Sequence, residues 1–258
     1  MKPDSALRRW SRTVIHFLIV LFTAGQACGA MMLLRLRAPL TLAARSQWLH
    51  RWCAVGLRRL EISYTSEGLF PQRGLLVSNH LSYLDILVYS SLTPCVFVAK
   101  REIRSWPLFG LMSRLAGTLF IDRERRADTH RVYQEMMNAL AAGVVVVLFP
   151  EGTSSDGLTI LPFRPALFEA ALESTEPVSC SHIRYLLEDG SLDQQVCYWG
   201  EMTFFPHLIQ LLSRREIRAR VRFHDQAGRY GSRKEAAQVT HEIVSALAQA
   251  ANAECPSR

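Results

Sequence analysis

Of the side chains able to move a proton, His80 and Asp85 have the most favourable setting. They lie in Val77-Ser78-Asn79-His80-Leu81-Ser82-Tyr83-Leu84-Asp85, where an apolar strand pattern gives way to a helical one. Ligands of open α/β sheets gather beyond the carboxyl ends of strands, so an imidazole here is well placed to act as a base. A spacing of five residues would set the two side chains about 140° apart on a regular helix. They meet only if His80 sits in the loop and Asp85 on the first helical turn. Ser82 is a good N-cap type and would put Asp85 at N3. From there the carboxylate can accept the Nδ1 proton of His80, fix its tautomer and stabilise its charged form. The same Ser82-x-x-Asp85 spacing also reads as a plain capping pair, because acids favour helix starts.

Phe149-Pro150-Glu151-Gly152-Thr153-Ser154 is a second strand end carrying polar groups. It reads either as a tight turn helped by Gly152 and Gly157, or as a ligand cradle on the same sheet edge as His80. A third stretch, Gly117-Thr118-Leu119-Phe120-Ile121-Asp122-Arg123, runs into Arg125 and Arg126, with Lys100, Arg101, Arg104 and Arg114 upstream. Arginine chelates phosphate through paired hydrogen bonds, although a solvated basic face is the plainer reading. GxSxG, HExxH, P-loop and GxGxxG motifs are missing from the sequence. The other histidines lack metal-ligand spacing, and the six cysteines form no CxxC pair. Neither a metal nor a bound cofactor is expected.

Strands and helices must alternate to hold these segments. Strand patterns fall at 60–64, 74–78, 95–99, 118–121, 144–149, 178–185 and 217–223. Helical patterns fall at 82–90, 107–115, 128–142, 165–174, 203–213 and 232–252, with Pro206 interrupting the fifth early. Ser232 and Glu235 are spaced as a capping box. The unbroken apolar run 144–149 suits a central strand covered on both faces. Alternation of this kind predicts an α/β domain, with a mixed, largely parallel sheet flanked by helices, at residues 60–258.

With 49% apolar and 21% charged residues the chain has the composition of a folding protein. Thirty basic against 23 acidic residues leave +7, which points to an anionic partner such as lipid headgroups, phosphate or nucleic acid. No aromatic-basic reading motif supports nucleic acid, so none is expected as a partner. Residues 14–34 carry no formal charge and would span about 30 Å as a helix, the thickness of a bilayer core. Three readings compete: a transmembrane or deeply embedded anchor, which the length favours; a signal peptide cleaved near Ala27-Cys28-Gly29-Ala30; and a buried core helix. Arg8, Arg9 and Arg12 at one end and Arg35 and Arg37 at the other leave orientation open. Residues 40–60 set Trp48 and Trp52 beside Arg45, Arg51, Arg58 and Arg59, a mixture suited to a bilayer interface. Residues 1–59 are therefore expected to anchor the chain to a membrane.

The three polar segments, in this order, resemble the lysophosphatidate acyltransferase family (1-acylglycerol-3-phosphate O-acyltransferases). Its His-x4-Asp hallmark is matched by His80 and Asp85, its second block by Phe120-Ile121-Asp122-Arg123, and its third by Phe149-Pro150-Glu151-Gly152-Thr153. Val98-Ala99-Lys100 and Trp106-Pro107-Leu108-Phe109-Gly110 are similar to the intervening segment. The resemblance covers residues 72–224 and implies a glycerolphosphate acyltransferase-like fold of bacterial type. It implies transfer of an acyl group from acyl-CoA or acyl carrier protein to the hydroxyl of a lysolipid, 1-acylglycerol-3-phosphate first and lyso-ornithine lipid as the alternative. A non-catalytic lipid-binding relative with the same fold is the alternative of another class. His80 would be the base and Asp85 its partner. Arg123, helped by Lys100, would hold an acceptor phosphate, and Glu151, Gly152 and Thr153 would shape the acceptor site, Glu151 holding a hydroxyl or an arginine. Backbone N–H groups near the helix start would serve as oxyanion donors. The implied place is a bacterial inner membrane, with membrane lipid as partner and the catalytic domain on the cytosolic face. The chain differs from the family pattern at Ser154, where an arginine is frequent, at Ala166, where a glycine is common, and at Cys180, where a second proline is usual.

Overall fold

The computed structural model describes residues 6–37, 39–122, 126–188 and 190–254. Two helices come first, α1 (Ala6–Arg37) and α2 (Leu42–Arg59), followed by β1 (Ser63–Glu67), β2 (Leu75–Ser78), α3 (Leu84–Leu92) and β3 (Cys95–Lys100). A 3-10 helix at Arg101–Ser105 leads to α4 (Phe109–Ala116), β4 (Leu119–Ile121), α5 (Arg126–Ala141) and β5 (Val145–Leu148). A second 3-10 helix, Pro165–Phe168, runs into α6 (Glu169–Glu173) and β6 (Val178–Leu186). The chain closes with α7 (Leu192–Gln195), α8 (Phe204–Leu212), β7 (Arg218–Phe223) and α9 (Arg233–Glu254).

The strands form one sheet in the order β1-β7-β6-β2-β5-β3-β4. Every neighbouring pair is parallel except β6 with β7, which makes the sheet mixed and largely parallel, as the alternation predicted. Every residue of β2 and β5 is buried, the pattern of central strands covered on both faces. One face packs Leu76, Val147 and Ile183 against Leu57 of α2 and Leu84 and Val88 of α3. The other packs Val77, Val146 and Cys180 against Val132 of α5 and Val244 of α9.

Some boundaries differ from expectation. β1 begins at Ser63, because the end of α2 continues into a turn in which Glu61 takes a positive φ of 56° and the Ile62 N–H bonds to Leu57 O. Pro206 falls in the first turn of α8 and interrupts nothing, since N–H groups there have no intrahelical partner. At α9 the Ser232 hydroxyl accepts the Glu235 N–H, and the Glu235 carboxylate accepts the N–H of Gly231, one residue before the cap.

α1 is the one described helix long and apolar enough to cross a bilayer by length and composition. A single stripe of it, His16, Thr23, Ala24, Ala27 and Met31, is buried against the protein. His16 Nδ1 donates to Leu212 O at 2.9 Å, Arg12 donates to Ser213 O at 2.8 Å, and Trp48 Nε1 donates to Ala27 O at 2.9 Å. The opposite face exposes Trp10, Val14, Ile15, Leu18, Leu21 and Phe22. α1 thus turns His16 and Thr23, with Ala24, Ala27 and Met31, to the protein and leaves a broad apolar face turned away. Ala27, Met31, Trp48 and Cys53 join the same core as the sheet, so α1, α2 and the α/β layer share one packed interior.

Candidate active site

β2 and β5 run parallel in the register Leu75↔Val146 to Val77↔Leu148, so their carboxyl ends open on one edge. Beyond Ser78 the chain leaves the ladder, and the side chain of Asn79 takes the place of backbone. Its Nδ2 donates to Ile183 O at 2.9 Å, and its Oδ1 accepts the Ile183 N–H at 2.8 Å. His80 follows directly. Its Nδ1 lies 2.7 Å from Asp85 Oδ2, and its ring stacks on Phe149 with centroids 4.2 Å apart. Asp85 is fully buried while the imidazole stays 21% exposed. The carboxylate accepts four bonds: His80 Nδ1–H and the N–H groups of Leu81 and Ser82 on Oδ2, and the Tyr185 phenol on Oδ1 at 2.6 Å. A proton is held on Nδ1 by this contact, which leaves Nε2 with the lone pair.

Ser82 was expected to cap the following helix. That helix begins two residues later, at Leu84, and the Ser82 hydroxyl is buried with no hydrogen-bond partner among the described residues. The Asp85 carboxylate captures the loop N–H groups instead. The N–H groups of His80, Leu81 and Ser82 all point to carboxylates inside the protein, so these three donors near the helix start are not available to an oxyanion.

Glu151 clamps the same loop from β5. Its Oε1 accepts the His80 N–H at 2.7 Å and its Oε2 accepts the Leu161 N–H at 3.0 Å. Burial pushes its carboxyl up to about 7, against the pull of those two N–H groups and of His80. Gly152 closes the turn, donating to Phe149 O at 3.1 Å with φ at 76°, a conformation that favours glycine. Thr153 is exposed, the Ser154 hydroxyl donates to Tyr198 O, and the Ser155 N–H donates to His80 O at 2.9 Å. The peptide of His80 is therefore gripped at both its N–H and its C=O by the loop after β5.

Lys100 ends β3 on the same sheet edge, two strands from His80, and is exposed. It pairs in register with Ile121, while Arg101 and Asp122 form an ion pair at 3.2 Å. Arg123 lies outside the described residues. Ala166 sits in the 3-10 helix before α6. Cys180 faces the α9 side of the sheet, away from the His80 ring, with its thiol raised to about 12 by burial. The structure thus unites His80, Asp85 and Glu151, with Gly152 in the adjoining turn, and leaves Lys100 and Thr153 at exposed positions.

Residues that the motifs did not signal complete the support. Tyr185 bonds Asp85, and Tyr89 joins Ser78 at 2.6 Å to Ser181 at 2.8 Å beneath the loop. Tyr89 falls four residues after Asp85, on the same face of α3, and Tyr185 shares the strand face of Ile183. Tyr83 forms a side wall, its ring 5.3 Å from Phe204, 5.7 Å from Tyr198 and 6.0 Å from Phe109. Its hydroxyl donates to His207 Nδ1 at 3.0 Å, because His207 Nε2 must donate to Cys197 O at 2.9 Å. Burial lowers the pKa of His207 and favours this neutral tautomer.

An imidazole with one nitrogen anchored and the other facing outward can take a proton from a hydroxyl and return it to a leaving group. Among the described residues no serine or cysteine is hydrogen-bonded to the His80 ring, so direct attack by the substrate's own hydroxyl suits this geometry better than a covalent enzyme intermediate.

The family model described as Acyltransferase matches residues 61–184, which run from β1 into β6 and include His80, Asp85 and Glu151. The lyso-ornithine lipid O-acyltransferase of Rhizobium meliloti is 34% identical over 215 residues, 77% of this chain and 74% of that protein. That of Brucella abortus is 37% identical over 191 residues, 69% and 72% of the two chains. The 1-acyl-sn-glycerol-3-phosphate acyltransferase of Neisseria meningitidis is 36% identical over 153 residues, 59% and 60% of the two chains. The fold is shared with the crystal structure of the 1-acyl-sn-glycerophosphate acyltransferase PlsC from Thermotoga maritima, at a TM-score of 0.72 and 19% identity, covering 96% of this chain and 97% of that one. With a histidine-aspartate pair at the carboxyl edge of its sheet and identity sustained along most of two relatives, this chain belongs to the acyltransferase family.

Proposed function

We propose that the protein transfers an acyl group from an acyl thioester, on coenzyme A or acyl carrier protein, to the free hydroxyl of a lysolipid. The observation that carries this reading is the His80–Asp85 contact of 2.7 Å at a partly open sheet edge. His80 Nε2 takes the hydroxyl proton as the oxygen attacks the thioester carbonyl. The tetrahedral intermediate then breaks its C–S bond, and the departing thiolate receives the proton from Nε2. Asp85 holds the ring and offsets its positive charge. General-base assistance of this kind is worth roughly 10²–10⁴-fold. Glu151 and Gly152 shape the loop behind His80, the exposed Thr153 and Lys100 are available to the acceptor headgroup, and Arg123 is assigned to its phosphate by the family resemblance alone.

Lysophosphatidate is the first acceptor reading, supported by the exposed Lys100 at the end of β3 and by the match of Arg123 to the family's second block. Lyso-ornithine lipid is favoured by a different observation. Ser154 stands where an arginine is frequent in the family, which leaves one basic group fewer there, and its hydroxyl is turned onto Tyr198 O. The two relatives quoted with the longest matches also carry that acceptor in their names. Residues 1–59 seat the enzyme on a membrane through the outward apolar face of α1, with residues 60–258 carrying the chemistry from the cytosolic face of a bacterial inner membrane. A stripe buried from His16 to Met31, about 22 Å at helical rise, holds α1 along the protein and suits a helix lying in one leaflet better than one surrounded by lipid. The deciding experiment offers purified protein a panel of lysolipid acceptors with labelled acyl-CoA and acyl carrier protein, and identifies products by mass spectrometry. Product from a lysolipid that disappears in His80→Ala supports the proposal, and equal product from wild type and His80→Ala overturns it.

A further inference from the structure

We propose that α8 is a second membrane-contacting element, seated beside α1 with its Phe205–Ile209 face in the same lipid leaflet. A short helix on a water-facing surface turns its polar residues outward. α8, with the sequence Phe-Phe-Pro-His-Leu-Ile-Gln-Leu-Leu, carries no charged residue: Leu208, Leu211 and Leu212 pack inward, and large apolar groups also remain outside. Its imidazole, His207, is 3% exposed and spends both nitrogens inside the protein, on Tyr83 and Cys197. Phe205 and Ile209, one turn apart on the same face, stay 51% and 52% exposed. Like α1, α8 thus leaves large apolar side chains on its outward face, and the two helices are joined. The carboxyl end of α8 accepts bonds from His16 and Arg12 of α1 at Leu212 O and Ser213 O. The carboxyl end of α8 is thus pinned to α1.

The occupant we assign is a bilayer containing anionic lipid. Continuity with the apolar face of α1 supplies the hydrocarbon contact. Charge adds to it, because Arg215 just beyond α8 is exposed, where it can meet an anionic headgroup. The other end of α8 reaches the catalytic loop. Phe204, beside Phe205, packs 5.3 Å from the Tyr83 ring and 4.5 Å from Trp106. A lipid-seated α8 would place the His80 edge at the depth where an acceptor hydroxyl resides. Only this last consequence rests on the acyl-transfer reading.

The test compares the full-length protein with Phe205→Ser/Ile209→Ser and with Leu69→Ser. Leu69 is 86% exposed between β1 and β2, at the sheet edge away from His80, and serves as an equally apolar control. Flotation with vesicles of phosphatidylethanolamine and phosphatidylglycerol should fall roughly ten- to hundredfold in the double variant, as expected for two half-exposed large side chains. It should stay at the parent level in Leu69→Ser. Turnover of a short-chain acceptor dispersed in water should stay within about twofold of the parent, while turnover of a vesicle-embedded acceptor should fall with flotation. Parent-level flotation of the double variant overturns the assignment. So does a concentration-dependent dimer abolished by the double substitution with flotation intact, which would make this face a protein interface. If no lysolipid is acylated by the parent, the acyl-transfer reading fails, and flotation alone still decides the role of α8.

Discussion

The phenol of Tyr185 donates to Oδ1 of Asp85 at 2.6 Å, on the carboxylate oxygen that His80 does not use. Tyr185 is buried, and its pKa is raised well above the usual tyrosine range by burial and by Asp85. It is a positioning residue, since it reaches the base only through the carboxylate. Tyr185→Phe keeps the ring and removes one hydrogen bond to a charged group, worth about 1.5–3 kcal/mol. The expected outcome is a folded enzyme with kcat reduced roughly tenfold and KM for both substrates little changed. A purely structural role predicts lower melting with normal turnover of the folded fraction, so steady-state kinetics beside thermal melts separate the two.

His80 and Asp85 should fail in different ways. His80→Ala removes a partly exposed ring and should melt close to wild type while losing roughly 10²–10⁴-fold in turnover. Asp85→Asn leaves four donors facing an amide with one acceptor oxygen. It should lose comparable activity and also about 2–4 kcal/mol of stability, because buried donors go unpaired. Denaturant titration of both variants with activity measured in parallel checks this. An Asp85→Asn protein as stable as His80→Ala would contradict the four-bond geometry.

Glu151 sets a pH dependence of stability with a defined sign. Its carboxyl rises from the ordinary 4.5 to about 7 on folding, chiefly through burial. Between those values the folded chain keeps a proton that the unfolded chain has released, so stability from this group falls as pH rises through the window and levels off above it. Glu151→Gln has no such titration. The stability of wild type relative to the variant should therefore decline by about 1 kcal/mol per pH unit between pH 5 and 7. Glu151→Gln should also lower kcat, since the amide cannot accept both the His80 and the Leu161 N–H. A flat difference across the window would count against burial as the cause.

Gly110 is a tolerance limit of another kind. A Cβ at this position would lie 2.4 Å from Arg104 O and 2.8 Å from Ile103 O, both backbone atoms. Gly110→Ala must push α4 away from the preceding 3-10 helix, at about 1–3 kcal/mol by the usual cost of overpacking. The wall formed by Phe109 and Tyr83 would move with it. Lower melting with a raised KM for the acceptor is expected, measured by calorimetry and by acceptor titration.

The strand-helix alternation, the loop position of His80 and the placement of Asp85 on the first turn of α3 were readable from periodicity and a spacing of five residues. These are local properties, and the chain states them within one or two turns of itself. The family blocks located Glu151 and Gly152 as well, but not what Glu151 does, because its partners are backbone N–H groups that no side-chain pattern announces. Ser82 shows the limit of local reading. Its spacing to Asp85 read as a cap, yet the helix begins at Leu84, and the carboxylate of Asp85, fixed from across the sheet by Tyr185, took the loop N–H groups and left the hydroxyl without a partner among the described residues. Tyr185 lies 100 residues from Asp85 and Asn79 lies 104 from Ile183, distances in sequence that only parallel pairing of β2 with β6 brings to bonding range. Likewise, the uncharged run at 14–34 marked α1 as apolar, but which side of it faces outward depends on what packs against it. Local residue types determined the elements and the His80–Asp85 pair. Burial and long-range pairing decided which groups hold that pair in place and which apolar faces stay exposed, because both depend on neighbours that the chain brings together only on folding.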